Sequence, residues 1–186
     1  MARRNEHTRD EMKQLILSAA MDIVENEGFS ALKVRRIAAE IDYTVAAIYM
    51  VFANMDDLNV HIKRRTLQLL AAELTENSPY DILAMKYVQF VFSHKGLWRM
   101  LWEHQLAIDK TLPSEYVNAQ QHIINIFCNS LLGGIEGQHQ KIAVVFMHGL
   151  QGVVMQCLLS NQTLLQSEEL VQCFVECFGK GYPRLR

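Results

Sequence analysis

Val34-Arg35-Arg36-Ile37-Ala38-Ala39-Glu40-Ile41-Asp42-Tyr43-Thr44-Val45-Ala46-Ala47-Ile48-Tyr49-Met50-Val51-Phe52 reads as two short helices joined by a tight corner. Ile37, Ile41, Tyr43, Ile48 and Val51 are spaced to supply the buried contacts between them, and Ala38 is small where the second helix packs on the first. Thr44 is a good N-cap for the second helix, because its hydroxyl accepts a backbone N–H from the first turn. Asp42 falls in the corner, where a left-handed backbone is wanted. Glycine adopts that conformation at least cost, and Asp is one of the few other residues that tolerates it. Two such helices, with the outer face of the second left free, make a helix-turn-helix.

Helical periodicity continues on both sides. Thr8-x-x-Glu11 forms a capping box, so a helix starts near residue 8. Met12, Leu15, Ile16, Ala19, Ile23 and Val24 fall on its inner face, and Gly28 ends it. Asn54 caps the next helix, with Asp56 and Asp57 in its first turn, and that helix runs to about Glu76. Ser78-Pro79 opens a new series, read as helices at about 79–93, 95–108, 114–132, 138–160 and 167–179, with breaks at Gly133-Gly134 and Asn161-Gln162. Strand signals are scarce, so the expected class is all-α. The expected division is a three-helix domain over 1–54, a connecting helix over 55–76 and a helical bundle over 77–186.

Composition is that of a globular protein. Of 186 residues, half are hydrophobic and a fifth charged, and only 3 prolines and 9 glycines interrupt long helices. The net charge of −2 excludes a strongly basic nucleic-acid binder, so any grip on DNA must come from local placement of charge. Met1 to Glu11 is charged and lacks the apolar stretch of a signal peptide, and no run of about 18 apolar residues is apparent. Cys128, Cys157, Cys173 and Cys177 are then expected to be reduced thiols in a cytoplasmic protein, with no membrane partner.

At Val34-Arg35-Arg36-Ile37-Ala38, Thr44, Ile48-Tyr49, Phe52, Asp56 and Leu58, preceded by Glu27-Gly28-Phe29, the chain resembles the TetR family of bacterial transcriptional regulators. The resemblance covers roughly residues 8–60. It implies an N-terminal three-helix DNA-binding domain followed by a helical ligand-binding and dimerisation bundle, and a regulator rather than an enzyme. It implies that Thr44 caps the recognition helix and touches a phosphate, that Tyr49 presses on the DNA backbone, and that Val45, Ala46, Ala47 and Met50 face base edges or sugars. Lys33 and Arg35 are implied phosphate contacts. Arg3 and Arg4 form a short basic arm suited to the minor groove. For Arg35 and Arg36 a solvated charged face remains the alternative, and Lys63-Arg64-Arg65 is read as solvated. The chain departs from the family at Asp42, where glycine is usual, and at Val45 and Met55, where lysine is usual. Ala46 stands where glycine is usual. Two phosphate-binding cations are therefore absent, which implies a weaker salt dependence.

The C-terminal half is similar to one class of ligand-sensing domain at Phe90-Val91-Phe92-Ser93-His94-Lys95-Gly96-Leu97-Trp98 and at Phe146-Met147-His148-Gly149-Leu150. The resemblance implies a small-molecule effector pocket, for which Phe90, Trp98, Trp102, Met147, His148 and Gln151 are candidate lining residues, each also consistent with ordinary core. It implies a homodimer through the last two helices, using Val144, Leu150, Val153, Val154, Cys157 and Leu158 from one and Leu170, Val171, Phe174, Val175 and Phe178 from the other. Such a dimer is expected to bind a palindromic operator. Cys173 and Cys177, one helical turn apart, are the alternative centre of a metal- or redox-sensing regulator. Glu136-x-x-His139 matches one half of a di-iron motif but stands alone. No cofactor or resident metal is expected, and no phosphate loop or nucleophile elbow is found.

Overall fold

The computed structural model describes residues 7–76, 78–104, 112–132 and 138–181. These form α1 (Arg9–Glu27), α2 (Val34–Glu40), α3 (Val45–Tyr49), α4 (Met55–Glu73), α5 (Tyr80–Ser93), α6 (Lys95–Glu103), α7 (Ser114–Leu132), α8 (Gln138–Leu159) and α9 (Leu164–Gly181), with a 3₁₀ turn at Phe29–Ala31. Among the described residues there is no strand, and the fold is all-α. Arg3 and Arg4 lie outside the described residues, as does Glu136.

Two compact units divide the chain. The first holds residues 1–66 and 94–116, and the second holds 67–93 and 117–186. The chain thus passes between units within α4, at the α5–α6 corner and near the start of α7. Residues 94–116, read from sequence with the C-terminal domain, cluster with the N-terminal helices.

In the first unit, Ile16, Ala20, Ile23 and Val24 of α1 meet Ile37 and Ala38 of α2, Ile48 of α3, Phe52, and Leu58 and Ile62 of α4. Leu97 and Met100 of α6 complete this core. The Thr8 capping box is formed in both directions, and Gly28 (φ 85) ends α1 with its N–H on the Val24 carbonyl, a backbone conformation open to glycine at little cost.

Helix α6 ends at Glu103, five residues before the expected limit. His104 turns extended (φ −87, ψ 121), and the carbonyls of Leu101 and His104 are taken by the Lys63 ammonium instead of by a further turn. Its other end is tied to α1. The Glu25 carboxylate accepts the N–H groups of Gly96 (3.4 Å) and Leu97 (3.3 Å), with no side-chain cap from His94.

In the second unit, α5 packs on α9 and α9 on α8. Phe146 is wholly buried and meets Tyr80, Phe127, Phe174 and Phe178 at ring-centroid distances of 5.0 to 5.9 Å. Helix α9 begins three residues before the expected position. Thr163 and Gln166 form a second reciprocal cap there, after Asn161 reverses the chain in the left-handed region (φ 52).

Helix α8 is more apolar than its sequence reading suggested. Residues 139–159, with a mean hydropathy of 1.8, are long and apolar enough to cross a membrane by length and composition, and only 28% of the apolar stretch is buried within the chain.

The candidate DNA-binding site

The corner of the helix-turn-helix is closed by backbone alone. Asp42 sits at φ 55, and the next N–H, of Tyr43, donates to the Ala38 carbonyl at 3.0 Å. This is the wide hydrogen bond of a Schellman helix end, with Asp42 in the position glycine usually holds. It terminates α2 and aims the chain into α3. Thr44 then caps α3, its Oγ1 accepting the N–H of Ala47 at 3.2 Å.

Core contacts fix which face of α3 looks outward. Ile48 and Phe52 are each 1% exposed, so the opposite face is presented to solvent. Met50 is 79% exposed, Tyr49 44%, and Thr44 and Ala46 are exposed as well, whereas Val45 and Ala47 are half-buried. The outward face carries no charged side chain, and its polar groups are the hydroxyls of Thr44 and Tyr49. Lys33, the N-cap of α2, and Arg35 in its first turn are exposed, and neither is in an ion pair among the described residues.

Arg36 differs from its neighbour. Its guanidinium bridges Glu27 (2.8 Å) and Glu40 (2.5 Å), which together raise its pKa above the ordinary arginine value. It serves as a tie between α1 and α2, and the two readings left open for Arg35 and Arg36 separate here.

The reading of Lys63-Arg64-Arg65 as a solvated run is corrected. Only Arg65 is exposed. Arg64 pairs with Glu115, and Lys63 is buried, with Nζ donating to Leu101 O (3.0 Å) and His104 O (2.6 Å). Burial pushes its ammonium down to about 8. His104 packs edge-on to Phe29 and lies 3.6 Å from the Asp56 carboxylate, and burial lowers its pKa. A second contact missed from sequence joins His7 to the corner: its Nδ1 lies 2.8 Å from the Tyr43 hydroxyl.

The candidate effector residues fall in different places. Trp98 and Trp102 belong to the first unit, where Trp98 is wholly buried and Trp102 is 39% exposed with its ring 6.0 Å from that of Trp98. Phe90, Met147, His148 and Gln151 belong to the second. Phe90 is buried, His148 exposed, and Met147 and Gln151 half-buried. A groove of about 490 Å³ opens elsewhere in the second unit, between the start of α5 (Pro79, Tyr80, Asp81, Ile82, Met85) and α9 (Gln172, Val175, Glu176).

The residues named for the dimer face need correction too. Leu150, Val154, Cys157, Val171 and Val175 are buried within the chain itself. The uncovered apolar side chains of α8 and α9 are Val145, Leu159, Leu164, Leu165 and Leu170. Cys128 and Cys157 are buried, Cys173 and Cys177 exposed, and no group of three or more His, Cys, Asp or Glu residues stands together for a metal among the described residues.

Residues 16–62 match the family of bacterial regulatory proteins, tetR family. No curated protein matches the chain. Among solved structures, the fold is shared with a protein of unknown function from Rhodococcus sp. RHA1, at 19% identity and a TM-score of 0.75, over 97% of this chain and 98% of that one. It is shared with a tetR-family transcriptional regulator from Streptomyces coelicolor (16% identity, TM-score 0.73, 92% and 80% covered). A transcriptional regulator of the TerR/AcrR family from Aquifex aeolicus VF5 has it as well (14%, 0.66, 89% and 98%). The helix-turn-helix built as described thus lies within residues 16–62, the segment that matches the tetR family of bacterial regulatory proteins.

Proposed function

We propose that this regulator is a homodimeric repressor that grips a palindromic operator with α3 and releases it when a small molecule binds the second unit. The observation that carries the DNA reading is the exposed, uncharged face of α3, with Tyr49 and Met50 outward from a core that buries Ile48 and Phe52. Such a face suits apolar contacts to thymine methyls and sugars rather than bidentate reading of guanine. Thr44, Lys33 and Arg35 flank it as phosphate contacts, and Arg3 and Arg4 are assigned to the minor groove on their charge alone. Val45, Ala46 and Ala47 pack beside the bases or the backbone.

Dimerisation through α8 and α9 is supported by the uncovered apolar side chains there. A second copy removes Val145, Leu159, Leu165 and Leu170 from water, and in a cytoplasmic protein this accounts for an apolar helix that its own chain leaves largely bare. The two recognition helices then address half-sites about one DNA turn, roughly 34–36 Å, apart. For the effector, the α5–α9 groove has the volume of a small-molecule site and mixes Tyr80, Ile82, Met85 and Val175 with Asp81 and Glu176. Phe90, Met147, His148 and Gln151 remain candidates in the same unit, and Trp98 and Trp102 in the first. An effector acts only if it binds one arrangement of the dimer better than the other.

The test is selection of duplexes from a random-sequence library by the purified protein, followed by anisotropy titration. Enrichment of one palindrome, with saturable binding that survives excess nonspecific DNA, supports the reading. No enrichment contradicts it.

A further inference from the structure

We infer that the groove between α5 and α9 selects an organic cation, a molecule that carries a quaternary or delocalised positive charge on an apolar body. The inference rests on the effector reading of this groove and names the chemistry of its ligand. The groove, of about 490 Å³, has an apolar wall of Tyr80, Ile82, Met85 and Val175. Among the described residues, the charged groups that line it are Asp81 and Glu176, and no lysine, arginine or histidine does. Neither carboxylate is in an ion pair among the described residues. Tyr80 is fixed in place. Its ring meets Phe146 edge to face at 5.9 Å, and its hydroxyl lies so close to Gly179 that a Cβ there would stand 2.6 Å from it. Glu176 is steadied from one turn back by the Gln172 amide, which donates to it at 3.3 Å.

Charge decides what such a groove holds. An anionic effector, whether a carboxylate or a phosphate ester, would face two carboxylates and no lining cation, and like charges repel. A bare calcium ion takes about six to eight oxygen ligands, more than two exposed carboxylates and their neighbours supply. A small ammonium ion is strongly hydrated and gains nothing from the apolar wall. An organic cation satisfies both halves of the lining. Its body leaves water against Ile82, Met85 and Val175, while its spread charge sheds hydration at little cost and meets the carboxylates and the Tyr80 ring. The two carboxylates are not equal. Asp81 sits in the first turn of α5, where the positive end of the helix offsets part of its charge, so Glu176 carries the larger share of the selectivity.

The test is calorimetric titration of the full chain with tetraphenylphosphonium and with tetraphenylborate, two ions of the same shape and opposite sign. The expected result is saturable binding of the phosphonium, at least about tenfold tighter than the borate, because each exposed carboxylate favours one ion and repels the other. Glu176→Gln is expected to weaken the phosphonium by about two- to fivefold and Asp81→Asn by less, with the pair together losing about tenfold and the preference for the cation. Asp10→Asn with Asp22→Asn makes the same change in net charge on exposed positions of α1 and is expected to leave binding unchanged. Circular dichroism checks that each variant is folded. No phosphonium binding, equal binding of the two ions, or phosphonium binding at wild-type strength in the Asp81→Asn, Glu176→Gln variant overturns the inference. The same titrations in the presence of the selected duplex separate this from the effector reading. Phosphonium binding that depends on Asp81 and Glu176 and leaves duplex affinity unchanged upholds the ligand class and contradicts the groove as the effector site.

Discussion

Gly96 lies so close to Val24 that a Cβ placed on it stands 2.2 Å from the Val24 carbonyl oxygen and 2.7 Å from the Glu25 Cα. Both neighbours are backbone of α1, so neither can rotate away. This close approach lets Glu25 reach the first N–H groups of α6, where a carboxylate matches the positive end of the helix. Gly96→Ala is predicted to destabilise the protein by about 1–3 kcal/mol through overpacking. A thermal melt of an otherwise helical variant measures it, and an unchanged midpoint contradicts the packing described.

The opposite end of α6 is held by Lys63. Lys63→Met keeps the side chain's bulk and removes the donor from the carbonyls of Leu101 and His104, with a predicted loss of about 1–3 kcal/mol. The pH dependence has a definite sign. Burial lowers the folded-state pKa of Lys63 to about 8, below the roughly 10.4 of an unfolded lysine. Between those values the unfolded chain binds more protons, so stability contributed at this site rises with pH. Below pH 8 the cost of the buried charge is fully present, and it is relieved as pH rises toward 10.4. The stability difference between wild type and Lys63→Met, followed by denaturant titration across that window, is predicted to move in favour of the wild type.

Asp42 holds a left-handed backbone at φ 55. Asp42→Val places a β-branched residue there and is predicted to cost about 1–2 kcal/mol. Asp42→Gly is predicted to be neutral to mildly stabilising, because relief of the left-handed conformation is offset by about 0.5–1 kcal/mol of chain entropy. Equal stability of the valine and glycine variants in urea contradicts this account of the corner.

The uncovered apolar side chains of α8 and α9 give a prediction about assembly. Val145 and Leu165 are 59% and 67% exposed in the single chain. The wild type is predicted to sediment as a dimer, and Val145→Glu combined with Leu165→Glu is predicted to leave the helical circular dichroism signal intact and to yield a monomer. A variant that sediments with the wild type places the interface on another surface.

What the sequence disclosed was governed by distance along the chain. The Thr8–Glu11 cap, the Asp42 corner and the Thr44 cap all involve partners within five residues, so residue type and spacing were enough to read them. Lys63 and Glu25 were illegible for the opposite reason. Their partners lie 38 to 72 residues away, and a lysine beside two arginines looks like any solvated run. The same limit applied to α8 and α9. Periodicity identified apolar faces, but which side chains Phe146 and its aromatic neighbours already cover is a tertiary matter. Leu150, Val154 and Val175 therefore belong to the chain's own core, and Val145 and Leu165 are the bare ones. Residues 94–116 follow the same logic, since α6 is tied to α1 and α4 by contacts that no local pattern announces.

The central claim is that α3 reads DNA with its exposed face. The most direct test is anisotropy titration of the selected duplex with wild type and Tyr49→Ala, each checked for helicity by circular dichroism. Tyr49 is 44% exposed, so its truncation leaves the core untouched. The predicted result is at least a tenfold loss of affinity, about 1.4 kcal/mol, with an unchanged spectrum. Wild-type affinity in a folded Tyr49→Ala variant contradicts the assignment of α3 as the recognition helix.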